Sequence, residues 1–147
     1  MKLKQISISI ENSPGRLFEV TNALGEAGIN LRALSLVDTA DFGVLRLLVS
    51  DISTARRIMM EMQVPARVND VVAAEIKDRP GSLSKLLKGL LDARVNVTYM
   101  YAFTGFSAEK AVMIFRFSDN DKAIKVLQKM GITLLDAKAF GMLENGD

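Results

Sequence analysis

Two stretches decide the fold, Asn12-Ser13-Pro14-Gly15-Arg16-Leu17 and Asp78-Arg79-Pro80-Gly81-Ser82-Leu83. Their prolines stand at positions 14 and 80, an offset of 66. Matches continue on both sides at that offset: Ile6, Ile8 and Ile10 align with Val72, Ala74 and Ile76, and Ile29-Asn30 aligns with Val95-Asn96. Further on, Val49-Ser50-Asp51 aligns with Phe117-Ser118-Asp119 at offset 68, so the second copy carries two extra residues. Agreement over separated blocks indicates a duplicated unit.

Each copy has the same order of predicted elements. Alternating apolar residues indicate strands, and apolar residues three or four apart indicate helices. The first copy has predicted strands over 4–10, 29–37, 42–49 and 66–69, with helices over 17–27 and 53–63. The second has predicted strands over 71–76, 95–103, 111–117 and 132–142, with helices over 82–93 and 120–130. This order predicts an α+β protein with two ferredoxin-like βαββαβ domains side by side, residues 1–69 and 70–147, each an antiparallel sheet with both helices on one face.

Several predicted strands are apolar on both faces. In the strand over 42–49, Val44 and Leu48 point to one side, and Leu45, Leu47 and Val49 point to the other. A sheet face open to water is normally polar. The face away from the helices is therefore expected to pack on another surface, most simply a second copy of the chain, and we predict a homodimer.

The composition excludes several classes of function. The 147 residues include no Cys, no His and no Trp. Without Cys and His the chain lacks the usual nucleophile systems and the ligands of zinc sites. We therefore predict a protein that is not an enzyme and that needs neither a metal nor another cofactor.

Charge and hydropathy indicate where the protein works. Nineteen basic and 17 acidic residues give a net charge of +2, without the basic run that nucleic-acid binding would require. No apolar stretch reaches the roughly 18 residues of a membrane span. The first five residues lack the apolar core of a signal peptide. We expect a cytoplasmic protein that binds neither nucleic acid nor membrane.

The two Pro-Gly loops admit two interpretations. Pro suits the first turn of a helix, and Asn12, Ser13 or Asp78 can cap the helix that follows, so the loops can be turns and nothing more. Alternatively, free backbone N–H groups at each helix start favour a carboxylate. Asp78 would then hold an ammonium group and Asn12 would supply a carbonyl acceptor. That arrangement suits a free amino acid.

The two loops, followed by Gly28-Ile29-Asn30 in one copy and Val95-Asn96-Val97 in the other, resemble the starts of two ACT domains. The resemblance covers essentially the whole chain as a tandem pair. It implies regulatory modules that pair into an eight-stranded sheet and bind amino acids or similar small ligands between paired domains. Members of that family usually carry an attached catalytic domain, for which this chain has no room. We therefore expect a free-standing sensor or a subunit that acts on a separate enzyme or regulator.

The resemblance implies ligand-binding positions in the loops and at the starts of the second strands. They are Asn12, Ser13, Pro14, Gly15, Arg16, Leu17, Asn30 and Leu31 in the first copy, and Asp78, Arg79, Pro80, Gly81, Ser82, Leu83, Asn96 and Val97 in the second. In the second copy, Arg94 stands at the position of Gly28, the glycine that ends the first helix. Because arginine does not favour the left-handed conformation of such a turn, the geometry of the turn after the second copy's first helix is in doubt. Asn12 replaces Asp78, so the two sites are expected to differ in affinity.

Two alternatives remain open. A dimerisation module without a ligand would use the loops only as turns. An RNA-recognition motif has the same element order, with Tyr99, Tyr101 and Phe103 available for stacking. The third strand of each copy lacks the aromatic pattern of that motif, which favours core or interface roles for these rings.

Overall fold

The computed structural model describes residues 1–39, 41–107 and 109–143. The sequence folds into seven strands, four α-helices and one 3-10 helix over these residues. In chain order the regular elements are β1 (Leu3–Glu11), α1 (Arg16–Glu26), β2 (Leu31–Asp38), β3 (Phe42–Val49), α2 (Ile52–Glu61), β4 (Ala66–Lys77), α3 (Ser82–Asp92), β5 (Val97–Ser107), β6 (Lys110–Phe117), α4 (Asn120–Lys129) and β7 (Thr133–Leu135). The 3-10 helix is Lys138–Phe140.

The chain forms two compact units, each built from two separate segments of the sequence. The first unit contains Lys4–Asn69 and the segment that begins at Ala137, and the second contains Asp70–Asp136 and Met1–Leu3. In the first unit β3 pairs antiparallel with both β1 and β2. In the second, β6 pairs antiparallel with β4 and β5, and β7 pairs with β4. The predicted α+β class with two βαββαβ-like repeats is confirmed; the domain limits 1–69 and 70–147 stay a prediction.

Each unit buries one face of its strands under its two helices. In β1, Ile6, Ile8 and Ile10 enter the first core and alternate with the half-buried serines between them. Val20 and Leu24 reach the same core from α1. The second core repeats this arrangement, with Val72, Ala74 and Ile76 from β4 and Leu86 and Leu90 from α3. Each fully buried aliphatic side chain of this size contributes about 1.5–3 kcal/mol to stability. The apolar alternation of the strands and the apolar faces of the helices therefore specify how the helices pack on the sheet in each unit.

All four α-helices end in the same turn. After α1, the backbone N–H of Ile29 donates to the carbonyl of Leu24 while Gly28 takes a left-handed φ of 76°. Arg94 holds the matching place after α3 and takes a φ of 58°. The doubt raised by Arg94 is therefore resolved, because the hydrogen bonds of the turn hold even an arginine in the left-handed region.

Two predicted strand assignments differ from the structure. The strands expected over 66–69 and 71–76 form one continuous strand, β4, that passes from the first unit into the second. The last strand ends at Leu135 rather than 142, because the chain turns into the 3-10 helix. Past this helix, the N–H of Leu143 donates to the carbonyl of Ser50 at 3.0 Å. The segment thereby belongs to the first unit.

In β3, apolar residues on both faces of the strand are buried. Leu47 and Leu48 point to opposite faces of β3, and both have 0% exposure. Tyr99, Tyr101 and Phe103 of β5 are half-buried. Partial burial of all three rings disfavours the open stacking platform that the RNA-binding alternative requires.

Candidate functional site

The loops between the first strand and first helix of each repeat have the same backbone geometry. Gly15 has φ 88° and ψ −16°, and Gly81 has φ 86° and ψ −8°. The N–H of Asn12 donates to the carbonyl of Asp41 at 3.1 Å, and the N–H of Asp78 donates to that of Glu109 at 2.8 Å. The two copies therefore present the same backbone surface, which only a residue without a Cβ adopts without strain.

The first turns of α1 and α3 lack side-chain caps among the described residues. In contrast, Asp51 caps α2 through the N–H of Thr54, and Asp119 caps α4 through the N–H of Lys122. The expectation that Asn12, Ser13 or Asp78 caps the following helix is wrong, because Gly15 and Gly81 occupy the N-cap positions. The first amides, those of Arg16 and Ser82, donate to the carbonyls of Ser13 and Arg79. The next two amides of each first turn have no partner among the described residues and stay available to an external acceptor.

The side chains around the two loops differ in charge. Asn12 and Asp78 are both exposed, and neither side chain contacts a polar partner in the described part of the chain. Beside the first loop, Arg16 Nη1 lies 2.8 Å from Glu19 Oε2. The second loop has Ser82 and Lys85 at the matching positions. The two loops therefore offer the same donors with different electrostatic surroundings.

The predicted strand-start residues lie at the opposite end of each unit from the loop. The N–H of Asn96 donates to Ser118 Oγ at 3.0 Å, and Ser118 directly follows the end of β6. The N–H of Asp78 donates to the carbonyl of Glu109, which directly precedes the start of β6. An eight-residue strand separates the two places, roughly 20–25 Å at about 3.3 Å per residue. The first unit repeats this separation, since Asn30 donates to Ser50 Oγ at 2.9 Å. Within one unit, the structure does not bring the predicted loop and strand residues together.

A cavity of about 410 Å³ lies in the second unit beside the start of α3. Among the predicted site residues, only Ser82 lines it. Its other polar lining residues are Glu75, Lys77, Lys85, Lys110 and Thr133. These residues were not predicted from the sequence, because only the strand register between β4 and β6 and the turn before β7 bring them together. Comparing the charges of the two repeats position by position is the signal that would have found them.

The described residues contain no group of three or more His, Asp, Glu or Cys side chains placed to hold a metal ion. Nor does any helix in the described ranges combine the length and apolar character needed to span a bilayer.

A known protein family matches nearly the whole chain. The model of a family described as an ACT domain pair matches residues 1–143. No curated protein matches the sequence. The family match includes both loops and every helix and strand that the structure describes, so it covers the duplication as a whole.

Solved structures share this architecture. The structure of a protein from Bacteroides thetaiotaomicron is 38% identical, with a TM-score of 0.90 over 97% of this chain and 98% of that one. The ligand-free regulatory subunit of aspartate kinase from Thermus thermophilus is 16% identical, with a TM-score of 0.63 over 86% and 91% of the two chains. The aspartate kinase of Clostridium acetobutylicum is 17% identical, with a TM-score of 0.59 over 87% of this chain and 32% of that one. The two kinase likenesses, at such low identity, concern the fold alone.

Proposed function

Because this chain belongs to the family of ACT domain pairs, we propose that it is a regulatory protein that binds a free amino acid or a similar small ligand between paired ACT domains. The observation that carries the proposal is the uncapped first turn of α1 and of α3 behind a left-handed glycine. Two other helices of the same chain have an aspartate cap, so the open turns are a property of these two loops.

The chemistry of the loops suits a zwitterion. The N–H groups of a helix start and the positive end of the helix dipole stabilise a carboxylate. In the second loop, Asp78 is exposed and stands three residues before Gly81. Its carboxylate supplies a charged acceptor for the ammonium group of the ligand. In the first loop Asn12 supplies only a neutral acceptor. The second loop is therefore the stronger of the two proposed sites.

The proposed site needs a second domain. Asn96 and Val97 lie a strand's length from Asp78 in their own unit, and Asn30 and Leu31 lie equally far from Asn12. A ligand at a loop therefore reaches a strand-start pair only if that pair comes from another domain. We propose that the loop of one domain and the strand start of its partner close on the ligand together.

A thermal-shift and calorimetry panel of the common amino acids tests this function. A ligand at about 100 times its dissociation constant adds about 2.7 kcal/mol to the free energy of unfolding. For the best ligand, Asp78→Asn should raise the dissociation constant about five- to tenfold, since charge-assisted hydrogen bonds are the stronger kind. The matched control is Asn12→Asp, which installs the second-loop residue in the first loop and should strengthen binding there. The proposal would be contradicted if no amino acid in the panel changed the unfolding temperature or gave a binding signal.

We also propose that the chain is a homodimer. β2 ends the strand order of the first unit's sheet, and its Leu34 and Leu36 are 60% and 51% exposed. Phe18 on α1 of the same unit is 68% exposed. Apolar side chains on an edge strand favour pairing with another chain. Leu34→Lys should convert the dimer to a monomer in size-exclusion chromatography with light scattering, whereas Lys4→Glu on β1 should not.

The same experiments separate sensing from a dimerisation module without a ligand. That alternative predicts a stable dimer and no thermal response to amino acids. If the Leu34→Lys monomer remains folded but loses its response, the ligand lies between copies. The proposed partner is a separate cytoplasmic enzyme or regulator; a relative of the same fold is described as the regulatory subunit of aspartate kinase.

A further inference from the structure

The cavity beside α3 has an apolar floor and a basic rim. Leu86 and Ile76 are 1% and 9% exposed, and Met130 and Ile132 from the turn between α4 and β7 complete the apolar lining. Its charged lining residues are three lysines and a single glutamate: Lys77, Lys85, Lys110 and Glu75. A volume of about 410 Å³ falls within the roughly 300–1,000 Å³ of small-molecule sites, which are mostly apolar with a few placed polar groups.

The glutamate neutralises only one of the lysines. Lys110 Nζ lies 2.8 Å from Glu75 Oε1, and this carboxylate raises the pKa of Lys110. Lys77 and Lys85 have no ion-pair partner among the residues that the structure describes. The lining therefore keeps an excess of positive charge above a hydrophobic floor.

The first repeat carries the opposite charge at the matching positions. Glu11 and Glu19 stand where the second repeat has Lys77 and Lys85. The strand partner of Glu11 is Phe42, whereas the partner of Lys77 is Lys110. Since both repeats share one backbone framework, the fold itself does not require the three lysines. Their cluster is a property of the second repeat alone.

We propose that this cavity is a second ligand site, which binds a small organic anion with an apolar body, such as a short-chain aliphatic carboxylate. The acyl chain lies on Leu86 and Ile132, and the carboxylate faces Lys77 and Lys85. Lysine acts here as a compact point charge, so the site selects by charge and apolar fit. The proposal goes beyond the amino-acid site, because it uses neither the amides behind Gly81 nor Asp78.

Calorimetry and thermal shift with hexanoate test the proposal. Hexanol keeps the apolar body without the charge, hexylammonium reverses the charge, and inorganic phosphate supplies charge without the body. Hexanoate is expected to bind saturably and at least tenfold more tightly than each of the three. In amide NMR spectra it should shift the signals of Leu86 and Ile132. Equal binding of hexanol or of phosphate, or no saturable binding of hexanoate, would overturn the proposal.

Charge-swap variants locate the site. Lys77→Glu with Lys85→Glu installs the residues of the first repeat and should raise the dissociation constant of hexanoate at least tenfold. Lys122→Glu with Lys125→Glu changes the net charge equally at exposed positions of α4 and should leave it unchanged. If the first double variant unfolds, Lys85→Gln alone should still weaken hexanoate. Equal loss in both double variants would overturn the proposal.

The amino-acid site is tested separately on the same proteins. The Lys77/Lys85 double variant should keep its response to amino acids, and Asp78→Asn should keep hexanoate binding. A protein that binds hexanoate but responds to no amino acid would remove the proposed function and leave this inference standing. The reverse result would remove only this inference.

Discussion

The carboxylate of Asp51 accepts hydrogen bonds from both the backbone N–H and the hydroxyl of Thr54, at 3.2 Å and 2.6 Å. These bonds fasten the first turn of α2 to the end of β3. They also lower the pKa of Asp51, the hydroxyl bond being the largest cause and the backbone bond the next. A buried strand and a helix over the same core are thus joined through one ionised side chain.

Removing this cap should weaken the protein in a pH-dependent way. Asp51→Ala is expected to cost about 1 kcal/mol of unfolding free energy at neutral pH. Because the folded pKa is lowered, the contribution of the charge is complete above the unfolded pKa, about 3.9, and is lost as the pH falls through the folded pKa. Urea denaturation at several pH values measures the difference between the proteins. Asp51→Asn keeps an acceptor and should lose much less; an Asp51→Ala deficit that does not shrink in acid would contradict the assignment.

The loop glycines should respond to substitution in the opposite sense from a glycine inside α1. Gly81→Ala should destabilise the protein by about 1 kcal/mol, because a Cβ is unfavourable at its φ of 86°. Gly25 lies within α1, and a Cβ built there meets nothing within 4 Å. Gly25→Ala should therefore stabilise by about 0.5–1 kcal/mol. Chemical denaturation of the two variants gives the signs; the same sign for both would contradict the left-handed geometry.

The turn after α3 offers a stabilising substitution. Arg94 has a φ of 58°, which costs about 1–2 kcal/mol for a residue with a Cβ. Arg94→Gly removes this cost but adds about 0.5–1 kcal/mol of unfolded-chain entropy. A net gain of about 0.5–1 kcal/mol is expected from the difference of these terms. The mirror variant, Gly28→Arg, should lose a similar amount, and thermal unfolding of both proteins measures the pair.

The repeat was readable from the sequence because its parts agree. Ile6, Ile8 and Ile10 predicted a strand, Val20 and Leu24 predicted a helix face, and each pattern recurred one repeat later. These are local periodicities, and burial on one face enforces them in the structure. The open first turns were only one of two interpretations that the sequence allowed, because Asn12, Ser13 and Asp78 are also ordinary capping residues.

The remaining features depend on which residues meet across the fold. Ile132, Leu134, Phe140 and Met142 all stand at alternate positions, and no local signal marks where the strand ends. The basic cavity was missed for a related reason, since Lys77 and Lys110 are adjacent only through strand register. The distance between the loops and the strand starts follows from topology. The helix after the first strand carries the chain back along the sheet, so the second strand starts at the end opposite the loop.

The segment after β7 should contribute substantially to stability. Phe140 and Met142 are each 7% exposed, and the N–H of Leu143 holds the segment to Ser50. Phe140→Ala should cost about 3–5 kcal/mol, the usual penalty for removing a buried phenyl ring. Leu143→Ala is the matched control: that side chain is 57% exposed, and its loss should change stability by less than about 0.5 kcal/mol because its hydrogen bond is made by the backbone. Equilibrium urea denaturation measures both. Equal and small effects would mean that the segment does not pack on the first unit in solution, because truncating a phenyl ring costs several kcal/mol of stability only where the ring is buried.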